Sequence, residues 1–281
     1  MAIVSAAAEG AVIANFSAGN TTAAVDGYVG MADTAGAGWA TPWGINGSSA
    51  LWSNSVSATS PLAGGGNYLA LSLGRSTSDA VGTVNRRWDT TALDNTKAYT
   101  VSFDLRVDSN LNTVGTDSNS RVFVSGDTNA GATGTSTSTT WSIQAYYSSA
   151  NGVTWGYTNN SGTPTTTGVA VTNDPMRFVV SVNPVNFTYS FAMTNLDTLA
   201  VYNSPVAAFR AQSAGAAKLY IGASIDKDST NAANLFAVDR VSVAVPEPAA
   251  LMGVCGLAAL TLRRRPGSRS VRVSDRERLR A

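Results

Sequence analysis

Apolar and polar residues alternate with a period of two along most of the chain. From Tyr99 to Val107 the alternation is unbroken: Tyr99, Val101, Phe103, Leu105 and Val107 face one way, and Thr100, Ser102, Asp104 and Arg106 the other. That is the signature of a half-buried strand. Tyr68 to Leu73 places Leu69, Leu71 and Leu73 on one face, and Lys218 to Ile225 places Leu219, Ile221 and Ile225 together. Arg121 to Ser125 reads as a short strand. Trp141 to Tyr147 and Val153 to Tyr157 flank a Ser/Asn/Gly turn, and Phe178 to Asn183 and Phe187 to Met193 flank Asn183-Pro184-Val185-Asn186. Both arrangements predict hairpins. Ala11 to Phe16 reads as an opening strand. Phe236 to Ala244 changes parity at Asp239-Arg240, which predicts a β-bulge.

One weak helical pattern lies near Val206 to Ser213. The low-complexity stretches Gly126 to Thr140 and Thr163 to Thr167 read as loops, and Arg86-Arg87-Trp88 as a solvated turn. No helical crossover separates the strands, so a parallel sheet is disfavoured. No repeat of fixed length points to a solenoid or propeller. The expected fold is all-β: one antiparallel β-sandwich of about a dozen strands over residues 11–245.

Composition narrows the chemistry. Charged residues make up 13% of the chain, against about 25% in ordinary soluble domains. There is no histidine and one cysteine. A Ser-His-Asp or Cys-His unit, zinc held by imidazoles and an internal disulfide are thereby excluded. Glutamate occurs only at Glu9, Glu247 and Glu277. The formal net charge of +1 hides an asymmetry: up to Val245 there are 11 Lys/Arg and 15 Asp/Glu, whereas Arg263 to Ala281 holds 8 Arg and 2 acids. A mildly acidic body with scattered bases carries no footprint for nucleic acid.

The C-terminus carries the most specific pattern. Val245-Pro246-Glu247-Pro248 precedes an uncharged run, Ala249 to Leu262, and then Arg263-Arg264-Arg265. Fourteen apolar residues would form a helix about 21 Å long, short of a full bilayer span. The arginines would stay cytoplasmic and leave the body outside. Pro246, Glu247, Pro248 and Arg263 to Arg265 closely resemble the PEP-CTERM sorting signal of bacterial surface proteins. The resemblance covers about Val245 to Arg265. It implies recognition by a membrane-embedded exosortase, cleavage near Pro-Glu-Pro, and an exported protein at the cell envelope or outside it. Residues 266–281 extend beyond the usual pattern as a basic tail, and Cys255 within the apolar run reads as a small hydrophobe. The N-terminal partner signal is poor. No Lys or Arg precedes Arg75, so residues 1–10 are expected to be disordered or the remnant of a signal peptide whose basic start lies upstream of Met1. A stop codon just upstream, with no in-frame start, would refute that.

The body is similar, in a loose way, to the concanavalin-like (laminin G-like) jelly roll often found before such tails. The likeness lies in the opening strand from Ala11, the long alternating strands in the middle, and the closing strand Phe236 to Val243. The β-glucanase relatives of that fold use a Glu-x-Asp-x-(x)-Glu strand motif, which residues 10–246 cannot supply. Only Lys97, Lys218 and Lys227 are available as lysine bases for a lyase. The chain is therefore not expected to be an enzyme.

Two candidate sites remain. Trp39, Trp43, Trp52, Tyr146, Trp155 and Tyr157 are candidate faces for stacking on sugar rings, with packing as their alternative role. Tyr146 shares parity with Ser142 and Gln144 and is expected to face solvent. Asp226, Asp228 and Asn231 place oxygens at spacings of two and five. That makes a candidate calcium loop, or an Asp-rich turn shaped by Asx hydrogen bonds. Calcium is thus the one cofactor considered. The expected role is a structural or adhesive module of the extracellular matrix, with a lectin-like glycan-binding module as the alternative and an atypical polysaccharide-active enzyme as a second alternative. The expected partners are the exosortase-type enzyme, the inner membrane and extracellular polysaccharide.

Overall fold

A computed structural model describes residues 9–14, 40–41, 43–47, 51–62, 66–88, 94–108, 111, 120–128, 138–148, 150–211, 216, 218–229 and 231–246, with the backbone alone for 9–14, 47 and 246. Trp39, Glu247, Pro248, the apolar run and Arg263 to Arg265 lie outside the described residues. Among the described residues no helix is long and apolar enough to cross a membrane.

Two antiparallel sheets form the unit Ala8–Pro246. The nine-stranded sheet contains β1 (Glu9–Ala14), β3 (Trp52–Ser57), β4 (Tyr68–Gly74), β6 (Tyr99–Val107), β11 (Met176–Asn183), β12 (Thr188–Asn195), β13 (Val201–Asn203), β14 (Ala207–Ala208) and β16 (Ala233–Pro246). Its order is β13-β12-β11-β6-β16-β4-β3; β1 pairs with β16, and β14 with β12. The seven-stranded sheet runs β10-β9-β8-β7-β15-β5-β2. Its strands are β2 (Gly44–Gly47), β5 (Ala80–Arg87), β7 (Arg121–Asp127), β8 (Thr139–Ser148), β9 (Gly152–Thr158), β10 (Pro164–Ala170) and β15 (Lys218–Ile225). The all-β antiparallel expectation holds. The first and last strands are neighbours, with Glu9 opposite Pro246.

The core lies between the sheets, and aromatic rings join them. Trp155 on β9 meets Phe178 on β11 edge-on at 5.0 Å, and Tyr157 meets Phe191 on β12 at 5.6 Å. Phe178 also stacks on Phe103 at 5.1 Å. The expected bulge is present. Asp239 lies opposite Asp104 and Ser242 opposite Ser102, so β16 carries one residue more than β6 between these pairs. Arg240 takes up the extra length at φ 52°.

Four local expectations are corrected. The segment near Val206 that was expected to be helical contains the short strand β14, which hydrogen-bonds β12 through Thr188 and Tyr189. Gly126, Asp127, Thr139 and Thr140 belong to strands β7 and β8, and Pro164 to Thr167 to strand β10. Threonine is β-branched and favours strands, so these Thr-rich segments take up the ladder despite their low complexity. Arg86 and Trp88 are buried. The Arg86 Nε–H donates to the Thr41 carbonyl at 2.9 Å, and its guanidinium lies over the Trp43 ring. Burial lowers the pKa of Arg86 to about 10.

Candidate functional site

The candidate aromatics among the described residues, which do not include Trp39, do not form an exposed platform. Trp43, Trp52, Trp155 and Tyr157 all belong to the hydrophobic core. Trp52 packs over Gly82 and lies 6.0 Å from Phe236. Tyr146 does sit on the outer face of its sheet, as its parity requires, but it is 8% exposed and its ring covers Gly156. Burial raises its phenol pKa. The reason for the correction is general to this sheet: β7, β8 and β15 are buried on both faces. Alternation assigns a side chain to a face, and says nothing of whether that face is covered.

The outer face of the seven-stranded sheet carries hydroxyls and amides beside the buried rings of Phe123, Tyr146 and Tyr220. Ser125 and Ser142 are cross-strand partners, and Thr83 lies two strands away opposite Gly222. The hydroxyls of all three are buried without a hydrogen-bond partner. Gln144 is held between Thr158 and Arg121.

The outer face of the nine-stranded sheet is open along β3, β4 and β11, whose outward residues are half-buried or exposed, and is covered at Ala237, Asp104 and Asp239. Ala70 on β4 pairs with Ala237 on β16 and with Ser55 on β3. These small residues floor a groove of about 250 Å³. Ser53, Ser72, Tyr68, Asp108 and Leu235 also line it. Arg106, opposite Ala237, donates from Nε to Asp108 Oδ1 at 2.6 Å and from Nη1 to the Pro61 carbonyl at 3.2 Å. The groove therefore offers serine hydroxyls, one phenol ring and a carboxylate fixed by its arginine. It is smaller than the roughly 300–1,000 Å³ of pockets that engulf small molecules, and suits contact with one side of a ligand.

Beside it lies a charge cluster. Asp104 is buried and receives a bidentate pair from Arg177, Nε to Oδ1 at 2.8 Å and Nη2 to Oδ2 at 2.9 Å. Arg240 Nη1 stands 3.7 Å from Asp104 Oδ2. Asp239, opposite Asp104 on β16, is also buried, and its Oδ1 accepts the Arg240 amide at 2.8 Å. Burial raises the pKa of Asp239, and the nearby Asp104 charge adds to that; the Arg240 amide and charge oppose it. Two neighbouring carboxylates invite comparison with a catalytic acid–base pair. Here both are 3% exposed or less, and both oxygens of Asp104 are taken by Arg177. A glycosidase pair must instead flank the scissile bond from the two sides of the sugar.

The Asp226 loop divides its oxygens. Asp226 is buried, with Oδ1 accepting the Asp228 amide at 2.8 Å, while Asp228 is exposed. The Asn231 amide donates to Ser229 Oγ at 3.2 Å, and Arg75 Nη1 donates to the Ser229 carbonyl. The Asp226 bond is of Asx type and the Ser229 hydroxyl bond its serine counterpart, both typical of a polar turn. Among the described residues no three His, Cys, Asp or Glu side chains are grouped to hold a metal.

The molecule is thus an antiparallel two-sheet β-sandwich, with a hydroxyl-lined groove on its nine-stranded sheet. No family model matches the chain, and no curated protein matches it. Among solved structures it is similar to a sialidase, at 10% identity and TM-score 0.45, over 70% of this chain and 17% of that one. It is similar to lectin II from Ulex europaeus, at 12% identity and TM-score 0.42, over 72% of this chain and 92% of that one. It is also similar to a carbohydrate esterase from Shiga toxin-encoding bacteriophage phi24B, at 12% identity and TM-score 0.47, over 84% of this chain and 100% of that one. At these identities and TM-scores the likenesses assign no activity to this chain.

Proposed function

We propose that the chain is an exported, non-catalytic β-sandwich of the concanavalin-like (laminin G-like) jelly-roll kind, displayed at the cell envelope, where it adheres to extracellular polysaccharide. The observation that carries the adhesive part is the groove over Ala70 and Ala237. Its floor is the half-buried methyl group of Ala70 beside the buried Ala237, a small side chain that leaves room for a ring to lie over β4. Its walls alternate hydroxyls with the Tyr68 ring, so they match the alternating polar edge and apolar face of a pyranose. A shallow one-sided contact of this size gives weak binding per unit, and strength would come from repeats along a polymer.

Ala70→Phe fills the floor from the solvent side and leaves the core untouched. The full chain should be retained on a column of its polysaccharide, and Ala70→Phe should weaken retention about tenfold or more at an unchanged melting temperature. Retention equal to that of the wild type would remove the groove from the account.

The export part rests on the Pro246-Glu247-Pro248, apolar and Arg263 to Arg265 order. Replacing the three arginines by serine removes the charges that fix orientation across the membrane. Cell fractionation is expected to show loss of the variant from the surface. A variant displayed as well as the wild type would refute the sorting assignment.

A further inference from the structure

We propose that the chain associates with a second copy of itself through the edge formed by β13. The strand ends its sheet, paired with β12 on one side and with nothing on the other among the described residues. Natural edges are shielded by charges, prolines or shortness, because an open row of backbone donors and acceptors recruits other strands. This edge is short, three residues followed closely by Pro205, and almost without charge. From Phe178 to Phe209 the only charged residue is Asp197. Around it the apolar side chains stand out: Leu199 and Val206 are each 72% exposed, and Val201 is 59% exposed.

Leu199 is the most telling of these. Its φ is 61°, a left-handed conformation that a bulky residue rarely adopts. The turn imposes it. Asn195 Oδ1 accepts the amides of Asp197 and Thr198, both at 2.9 Å, and the Leu199 amide donates to the Asn195 carbonyl at 2.8 Å. Glycine or asparagine would meet this geometry at less cost. A leucine held there packs against little of its own fold, so the strain points to a contact outside it.

A matching hole lies beside the knob. A cleft of about 300 Å³ opens between the β10 and β13 edges, lined by Val169, Met176, Met193, Val201 and Tyr202. Methionine side chains adapt their shape to an incoming apolar group. Knob and hole share one edge, so a two-fold axis lets each copy place its Leu199 in the other's cleft, the self-complementary arrangement of a two-fold dimer. The strip sets no like charge against itself beyond Asp197. A membrane surface as occupant would call for a row of basic residues; the strip itself holds none, and Arg177 at its start is paired with Asp104.

The test measures the mass of the full chain against concentration by analytical ultracentrifugation, for the wild type, Leu199→Asn and Val201→Lys. Asparagine suits the left-handed turn, so Leu199→Asn should fold with an equal or higher melting temperature. The wild type should move from monomer to dimer as concentration rises, and both variants should raise the dissociation constant about tenfold or more. A wild type that stays monomeric throughout overturns the proposal. So does a Leu199→Asn variant that associates as tightly as the wild type, as would happen if the apolar tail drove assembly. The groove over Ala70 lies on other strands and the association does not rest on it, so retention on polysaccharide is a separate outcome.

Discussion

Phe178→Ala is expected to lower the free energy of unfolding by about 3–5 kcal/mol, near the top of the range for one core side chain. Phe178 sits on β11 between β6 and β12 and is fully buried. It stacks on Phe103 within its own sheet and meets Trp155 of the opposite sheet edge-on. Removing the ring strands both partners. The backbones on either side are fixed by ladders, so the space cannot close by a small shift, and the cavity part of the cost stays high. Phe178→Leu should cost less than half as much, because it keeps most of the volume. Urea unfolding of the three proteins checks this. A loss under about 1 kcal/mol for the alanine variant would mean that the sheets are not locked at this ring.

The strands that were legible in the sequence are those with one face toward the core and one toward polar surroundings. Tyr99–Val107 and the bulge at Asp239-Arg240 follow from parity alone, because the Val238 and Val241 side chains both point inward across the slip. Strand β5, Ala80–Arg87, was not legible, since it is buried on both faces and Thr83, Asn85 and Arg86 are buried along it. Polar residues inside a covered sheet imitate a turn. The same physics misplaced Tyr146, which parity put outside its sheet correctly although that outer face is itself buried; Trp43, Trp52, Trp155 and Tyr157 instead belong to the hydrophobic core. The groove left no linear signal, because Ser53 and Ser55, Tyr68 to Ser72, and Leu235 to Ala237 meet only through the ladders of three strands. Leu199 was silent for another reason. Its significance lies in a backbone angle, and the letters Asn-Leu-Asp-Thr-Leu do not state one.

Gly222→Ala is expected to cost about 3 kcal/mol, the upper end of what overpacking usually costs, although it adds a single methyl group. Gly222 lies on β15 between Thr83 of β5 and Phe123 of β7. A Cβ there would stand 2.5 Å from the Gly82 carbonyl oxygen, 2.6 Å from Thr83 Cγ2 and 2.9 Å from Phe123 Cζ. The phenyl ring has little room to retreat, since Phe123 is 1% exposed. The carbonyl cannot rotate away without disturbing the strand it belongs to. Gly152→Ala separates this steric effect from backbone strain. Gly152 has φ 68° and nothing within 4 Å of a would-be Cβ, so alanine there should cost only the left-handed penalty of about 1–2 kcal/mol. Thermal unfolding of both variants gives the comparison. A larger loss at Gly222 means that the outer face of the seven-stranded sheet is packed like a second core, which leaves the open face of the other sheet as the surface for ligand. An equal or smaller loss means that β5 and β15 can part at that point, and the buried hydroxyls of Thr83, Ser125 and Ser142 then become reachable.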